Sequence, residues 1–339
     1  MSSEVDPRIA PWLIDESEFY EIDDAHAQVE FLLRYAVLAP SGHNTQPWSF
    51  RITSQSVEVF ADPARRLPVA DPHNRELLMS VGAAITNFRV AAAHFGFDTR
   101  VCHQTGEGPV ATIALTETCN PDPALHGLFS AIPRRHTNRS SFDRRPLDPD
   151  TLERLIPFVE NCELTRFVVP HERTRIAELV EEADRRLLAN EAFRNELADW
   201  VRANESSDAD GIPADAFGIP GPLSAFAPWL VRTLDLGEER GRADRQLTEE
   251  AAGLIVITSD EDRASLIRAG EALERLLLAL TALGVQYSFL NQPVQVPELR
   301  RELWNLIRTP KAPQLLLRIG YAPPVRRAMP RRPVTAVAF

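Results

Sequence analysis

Residues Ala39 to Phe50 read Ala-Pro-Ser-Gly-His-Asn-Thr-Gln-Pro-Trp-Ser-Phe. The stretch lies between an apolar helix-like run, Phe31 to Leu38, and an alternating strand, Trp48 to Val59. Pro40, Gly42 and Pro47 punctuate it as a turn. Such a turn presents Ser41, Asn44 and Gln46, with the backbone amides it frees, to whatever lies above. A planar heteroaromatic ring with donors and acceptors around its edge suits that array.

Working outward, residues 24 to 38 read as an amphipathic helix that delivers the loop. A hairpin (48 to 53, 57 to 61) and a proline-rich connection follow it. A long helix is expected from about Pro72 to Phe95, with Asp71 as N-cap and Pro72 at the first helical position, where its missing N–H costs nothing. It is apolar nearly all round (Leu77, Leu78, Val81, Ile85, Phe88, Val90), which predicts burial. Strands at 99 to 103 and 110 to 116 complete this part. Beyond the run Arg134 to Arg139, the pattern predicts a capped helix, Asp148 to Val159, and strands at 164 to 169 and 253 to 258. A helix at 264 to 283 and strands near 286 to 290 and 314 to 319 close the chain. Between them, roughly 185 to 250, lies an insertion with a charged helix and then a Gly- and Pro-rich stretch, Asp210 to Pro222. A loop that long is a lid, a binding loop or disorder.

An internal comparison organises these elements. Gly82 and Gly96 bracket the first long helix, and Gly270 and Gly284 bracket the second; both pairs are separated by the same 188 positions. Helix-terminal glycines are common. At the same shift, however, Ala84 meets Ala272, Phe88 meets Leu276, Ala91 meets Ala279 and Phe95 meets Leu283. The chain is expected to be two related halves.

The 339 residues suffice for two compact units, and a net charge of -11 argues against a general nucleic-acid or anionic-membrane surface. Basic residues are almost all arginine, with Lys311 the sole lysine. Cys102, Cys119 and Cys162 have neither metal nor disulfide spacing, which points to a reducing cytoplasm. The opening Met-Ser-Ser-Glu-Val-Asp carries no export signal, and Asn87, Arg89, Glu274 and Arg275 interrupt the longest apolar runs, so no membrane span is expected. Gly106-x-Gly108-x-x-Ala111 matches a dinucleotide motif in letters but leads into a strand, so it reads as a turn. The histidines lack ligand spacing, and no metal site is expected.

The 39 to 50 loop closely resembles the flavin-contacting loop of the nitroreductase family, flavoenzymes that use FMN. Pro40, Ser41, Asn44, Gln46, Pro47 and Trp48 match its pattern, with His43 inside it; Gly42 stands where many members carry a second serine, and its amide can still donate. Single pieces such as Gln-Pro-Trp mean little; the whole loop is specific. Arg135-His136-Thr137-Asn138-Arg139, followed by Phe142, resembles the cluster by which nitroreductases hold the FMN phosphate. In that reading Arg135 and Arg139 are forked donors and Thr137 supplies a hydroxyl. A solvated basic run is the alternative. An arginine cluster in an acidic chain, and an end (Arg318-Ile319-Gly320-Tyr321, then Arg331-Arg332-Pro333) similar to the family's last strand and basic tail, favour the phosphate reading. The resemblance also implies that Gly284 and Val285 approach the ring.

In ordinary members the phosphate cluster precedes the flavin loop by about two dozen residues, and FMN lies at a dimer interface between the loop of one subunit and the cluster of the other. Here the loop comes first and the cluster follows some ninety residues later. The chain therefore resembles such a dimer fused into one polypeptide with one site kept, most like the twin-domain Acg-like branch; Asp210-Gly211-Ile212-Pro213 and Leu290-Asn291-Gln292-Pro293 share in the likeness. The implied fold is α+β, two halves that are each a mainly antiparallel sheet flanked by helices. A lead-in (1 to 23) precedes a first half (24 to 130) with the loop and a second (131 to 339) with the cluster and a lid-like insertion. The implied activity is hydride transfer from NAD(P)H through FMN to a nitro or quinone acceptor, carried by the flavin with no dedicated side-chain acid or base. The alternative is a protein that stores FMN under its lid. Either way the resemblance implies a monomer with one FMN per chain.

Overall fold

The computed structural model describes residues 6–53, 56–159, 165–325 and 327–339. Asp24 caps the first long helix, Ala25–Ala36, by accepting from the Ala27 amide at 2.8 Å. After the loop, strand Trp48–Ile52 turns directly into Ser56–Ala61, pairing Trp48 with Ala61. In the second strand Val57 and Val59 are wholly buried while Glu58 between them faces outward, the period-two alternation of a half-buried strand. Strands Phe97–His103 and Ala111–Glu117 extend this into an antiparallel sheet whose spatial order is first, second, fourth, third.

The second sheet repeats that order with Thr165–Phe167, Gly253–Ser259, Ala312–Gly320 and Gln286–Phe289, again antiparallel. In each sheet a helix of 20 residues joins the second strand to the third: Arg75–His94 and Arg263–Ala282. Their first residues, and their last, are 188 positions apart. The first of these helices begins three residues later than expected, because Asn74 turns left-handed (φ 55°). Asp71 still caps it from outside, accepting from the amides of Arg75 (2.8 Å) and Leu77 (2.9 Å).

The two central helices pack on each other through their glycines. A Cβ on Gly82 would lie 2.1 Å from the Ile267 carbonyl oxygen, and one on Gly270 2.0 Å from that of Met79. Met79 and Ile267 are themselves 188 positions apart, so each helix presents the same site to the other. Such reciprocity is the signature of a two-fold dimer contact, here within one polypeptide. Gly96 (φ 84°) and Gly284 (φ 72°) end the two helices in the left-handed conformation that glycine adopts without strain.

The insertion enters where the first sheet has only its tight hairpin, between the first and second strands. Its ends are ordered: helix Pro170–Ala189 lies against Gly237–Glu250, and Gly241 seats so close to Glu181 that a Cβ would fall 2.7 Å from that residue's carbonyl oxygen. The expected long loop is therefore largely helical, with Glu191–Trp200 and Ala227–Thr233 between those ends and a two-residue parallel ladder joining 201–202 to 212–213. Among the described residues no helix is long and apolar enough to cross a membrane, and no group of three or more metal-ligating side chains converges. Cys102 and Cys119 are free and exposed; Cys162 lies outside the described residues.

Candidate functional site

Between helix Ala25–Ala36 and strand Trp48–Ile52 the chain makes a strained turn. His43 (φ 48°), Asn44 (φ 56°) and Gln46 (φ 51°) all adopt left-handed backbone although none is glycine. Such strain persists only where surrounding contacts impose it, and it clusters at functional sites. The imposing contacts are local and distant: Ser41 Oγ accepts from the Gln46 amide at 2.9 Å, and Arg65 Nη1 donates to the Thr45 carbonyl at 2.7 Å.

Pro40, Ser41, Gly42 and His43 form part of the wall of a cavity of about 600 Å³. The first central helix adds Glu76, Met79 and Ser80, the second half adds Arg139, Leu273, Phe289, Asn291, Gln292, Gln295 and Leu315, and the insertion supplies the rest. Three groups on this wall have unmet polar capacity, Gln292 Oε1 among them, which is buried without a hydrogen-bond partner. His43 Nε2 is buried without a hydrogen-bond partner, and burial, aided by the charge of Arg139, holds the ring's pKa down to about 4, so the imidazole is neutral. Arg139 is exposed where it lines the cavity, desolvation lowers its pKa, and it has no hydrogen bond or ion pair among the described residues. A full positive charge there favours an anionic occupant.

The other loop residues are placed differently from expectation. Asn44 is buried, donates to the carbonyls of Gly211 (2.9 Å) and Pro330 (3.1 Å), and accepts from Arg331 Nη1 (2.8 Å). Gln46 donates to the Ala209 carbonyl (2.8 Å) and accepts from the Arg332 amide (2.8 Å). Neither lines the cavity; both fasten the insertion and the C-terminal segment onto the loop.

The arginine cluster divides. Arg135 is enclosed, donating to the Tyr287 hydroxyl (2.7 Å) and the Leu38 carbonyl (2.8 Å), with Glu274 at 3.3 Å. Burial pushes Glu274 up to about 7, and Arg135 pulls it back. Arg331 joins the same knot, reaching the Leu38 carbonyl (3.2 Å) and stacking 4.9 Å above Trp12; burial and Arg135 lower its pKa to about 9, and its Nε has no partner. His136 packs on Trp12 at 4.6 Å, and Thr137 bonds the Tyr287 hydroxyl. Arg332 donates to the carbonyls of Gln46 and Ala336. Arg135, Arg331 and Arg332 thus clamp the loop's flanks, and of the cluster only Arg139 reaches the cavity. Gly284 is exposed at a helix end and Val285 belongs to the core, so neither lines the cavity. The second half meets it a few residues later, at Phe289, Asn291 and Gln292.

Three carboxyl groups on the wall, Glu76, Asp184 and Glu239, were not anticipated. Glu76 accepts from Gln295 Nε2 (2.9 Å), and burial, with the nearby Asp71 charge, pushes it up to about 7. Asp184 is pushed up to about 8 by burial and by Asp244; Gln292 Nε2 donates to Asp244 at 2.9 Å and approaches Asp184 at 3.4 Å. Nothing in the sequence distinguishes Glu76, since an acid in the first turn of a helix is ordinary. Asn291 and Gln292 had a signal, the family-like run at 290 to 293.

No protein-family model matches the chain. A protein of Mycobacterium tuberculosis that bears the name NAD(P)H nitroreductase is 30% identical over 313 residues, spanning 87% of this chain and 85% of its own length. The NAD(P)H nitroreductase acg of the same organism is 28% identical over 328 residues, 91% of this chain and 94% of its own. Among solved structures, a nitroreductase from Anabaena variabilis superposes with a TM-score of 0.50 over 93% of this chain and 91% of that one at 13% identity, a likeness of fold. With the mycobacterial relative at that identity along nearly the whole length of both chains, this protein belongs to the nitroreductase family.

Proposed function

We propose that the protein is an FMN-dependent oxidoreductase that takes hydride from NAD(P)H and delivers it to a nitro or quinone acceptor. The observation that carries this reading is the cavity between the halves, walled by Pro40 to His43 on one side and by the unpartnered Arg139 on the other. FMN fits the residues present. The volume of about 600 Å³ lies within the range of cofactor sites, the orphaned His43 Nε2 would find a partner in a heteroaromatic ring edge, and Arg139 would offer a charge to an anionic group. FMN would supply the two-electron chemistry. Ser41, Gly42 and His43 would orient the ring, Arg139 would bind charge, the insertion would keep water out, and Glu76 would hold a proton on the wall near neutral pH.

A second reading has its own support. Asn44 and Gln46 bind the carbonyls of Gly211 and Ala209, so the insertion is tied over the cavity, as a protein that stores FMN requires.

The purified protein is expected to be yellow, with one FMN per chain by absorbance after denaturation, and to oxidise NADPH when a nitroaromatic or quinone is added. Failure to retain FMN or to bind it on titration overturns both readings. Bound flavin without NADPH oxidation leaves the storage reading.

A further inference from the structure

The cavity wall has two chemistries. Every wall residue between positions 187 and 236 is Leu, Ile, Val or Phe; Leu187, Phe193, Ile212, Phe217, Leu230 and Leu234 are among them. Most of the polar groups, Ser41, Glu76, Arg139, Gln292 and Gln295 among them, come from the two halves, while Asp184, Glu239 and Arg240 flank the apolar stretch from the ends of the insertion. The apolar wall also reaches solvent: Leu234 and Leu236 line the cavity and are 43% and 44% exposed, and the adjoining Phe226 and Trp229 are more open still. Helix Ala227–Thr233 is therefore apolar on both sides, its Leu230 and Val231 turned to the cavity and its Trp229 to solvent. A flat cofactor held at the Ser41–Arg139 region has no use for so much aliphatic surface, and surface of this kind left wet costs free energy in proportion to its area.

From this we infer that the acceptor is amphipathic: a quinone whose ring is reduced at the polar region while an aliphatic chain lies along the wall built by residues 187 to 236 and leaves past Leu234 and Leu236. The inference rests on the proposed oxidoreductase function and names its substrate class. The balance is that of a two-electron reduction. NAD(P)H gives up hydride and becomes NAD(P)⁺, and the quinone takes that hydride equivalent and one proton from solvent to become the quinol.

The test uses the full-length protein loaded with FMN and three 1,4-naphthoquinones carrying no chain, a butyl chain or an octyl chain. Dissociation constants are read from quenching of intrinsic fluorescence, without turnover, and kcat/KM is read with NADPH. Each methylene that is fully buried tightens binding about fourfold, so Kd is expected to fall at least tenfold from no chain to butyl. Leu230→Asn and Ile212→Asn should flatten that chain-length dependence, with folding checked by circular dichroism. Equal Kd values across the series, or a dependence that both variants leave intact, overturn the inference. The two failures are distinguishable. Flavin-loaded protein that oxidises NADPH without chain dependence sinks only the substrate assignment. Chain-dependent binding without NADPH oxidation sinks the enzymatic reading and the reduction step with it, leaving only the amphipathic binding wall.

Discussion

The two halves share a strand order and a central helix of equal length, yet they spend the equivalent surface in opposite ways. Arg75 opens the first central helix and donates to the Val294 carbonyl at 2.8 Å; Arg263 opens the second and donates to the Gly106 carbonyl. Both the arginines and the carbonyls are 188 positions apart, so the clamp is reciprocal, like the glycine contact. What surrounds it is not. On the first side, Glu76, Met79 and Ser80 look into a cavity closed by the twelve-residue loop and the insertion. The corresponding positions of the second helix are Ala264, Ile267 and Arg268, and the strand facing them ends in a tight hairpin, with His103 paired to Glu271 at 2.8 Å and Arg263 also holding the Gly108 carbonyl. The sequence allots only five residues between helix Pro149–Val159 and the strand at Thr165, too few to repeat the loop. Duplication thus supplied a scaffold with two equivalent surfaces, and length changes in two connections left one of them hollow.

The strongest way to break that comparison is at the glycines. Gly82→Ala and Gly270→Ala should each cost about 3 kcal/mol or more, because a Cβ near 2 Å from a carbonyl oxygen forces the central helices apart. Urea unfolding measures it, and the two costs should agree. A large loss at one glycine and almost none at the other would refute the reciprocal contact. Gly284→Ala, which meets nothing within 4 Å but keeps a positive φ, should cost only about 1 kcal/mol.

These glycines also show what was legible beforehand. The shift of 188 between Gly82 and Gly270 was visible because close helix packing admits no side chain, and physical necessity of that kind leaves a mark on sequence. Strand and helix positions followed from apolar periodicity, which is local. The roles of Arg135 and Arg139 were not separable, since two arginines four positions apart look alike until tertiary structure buries one against Glu274 and leaves the other at the cavity. Asn44 and Gln46 misled for a related reason: an exposed-looking polar turn was covered by carbonyls from residues 209 and 211, far along the chain. The start of the first central helix shifted because Asn74 adopts a left-handed conformation that no periodicity reveals.

The arginine pair sharpens the comparison next. Arg135→Ala leaves Glu274 buried without its ion-pair partner and removes the nearer of the two donors to the Leu38 carbonyl, an expected loss of about 3 kcal/mol in stability. Arg139→Ala removes no hydrogen bond or ion pair among the described residues and should leave the unfolding midpoint nearly unchanged while weakening FMN binding at least tenfold by fluorescence titration. The opposite pattern, flavin loss from Arg135→Ala in a fully stable protein with Arg139→Ala silent, would return the phosphate to the expected cluster.

Asn44→Ala tests whether the insertion is fastened by the loop. Three hydrogen bonds disappear, two of them to carbonyls of the insertion and the tail, for an expected cost of about 2 kcal/mol. Limited proteolysis between residues 205 and 235 should accelerate, and NADPH oxidation should rise if the fastened insertion limits access. Unchanged proteolysis would mean that contacts of helices Pro170–Ala189 and Gly237–Glu250 hold the insertion alone.

The smallest expected effect isolates the cavity carboxyl. Burial raises Glu76 from 4.5 to about 7, so the folded state holds its proton more tightly than the unfolded chain. Stability from that preference is fully present below about pH 4.5 and is lost as pH rises through 7. Glu76→Gln keeps the shape and an acceptor for Gln295 but cannot ionise. The variant should therefore match the wild type near pH 4 and exceed it by about 1–2 kcal/mol at pH 8, Asp71 taking up part of the difference. His43 works the other way, its neutral ring favouring the folded state above pH 6.5 and losing that advantage as pH falls toward 4. Because His43 is the same in both proteins, its contribution cancels in the difference. A difference that is flat from pH 4 to 8 would mean that Glu76 is already ionised in the folded protein, and the cavity wall would then carry a negative charge beside Gly42 where a neutral proton donor is proposed.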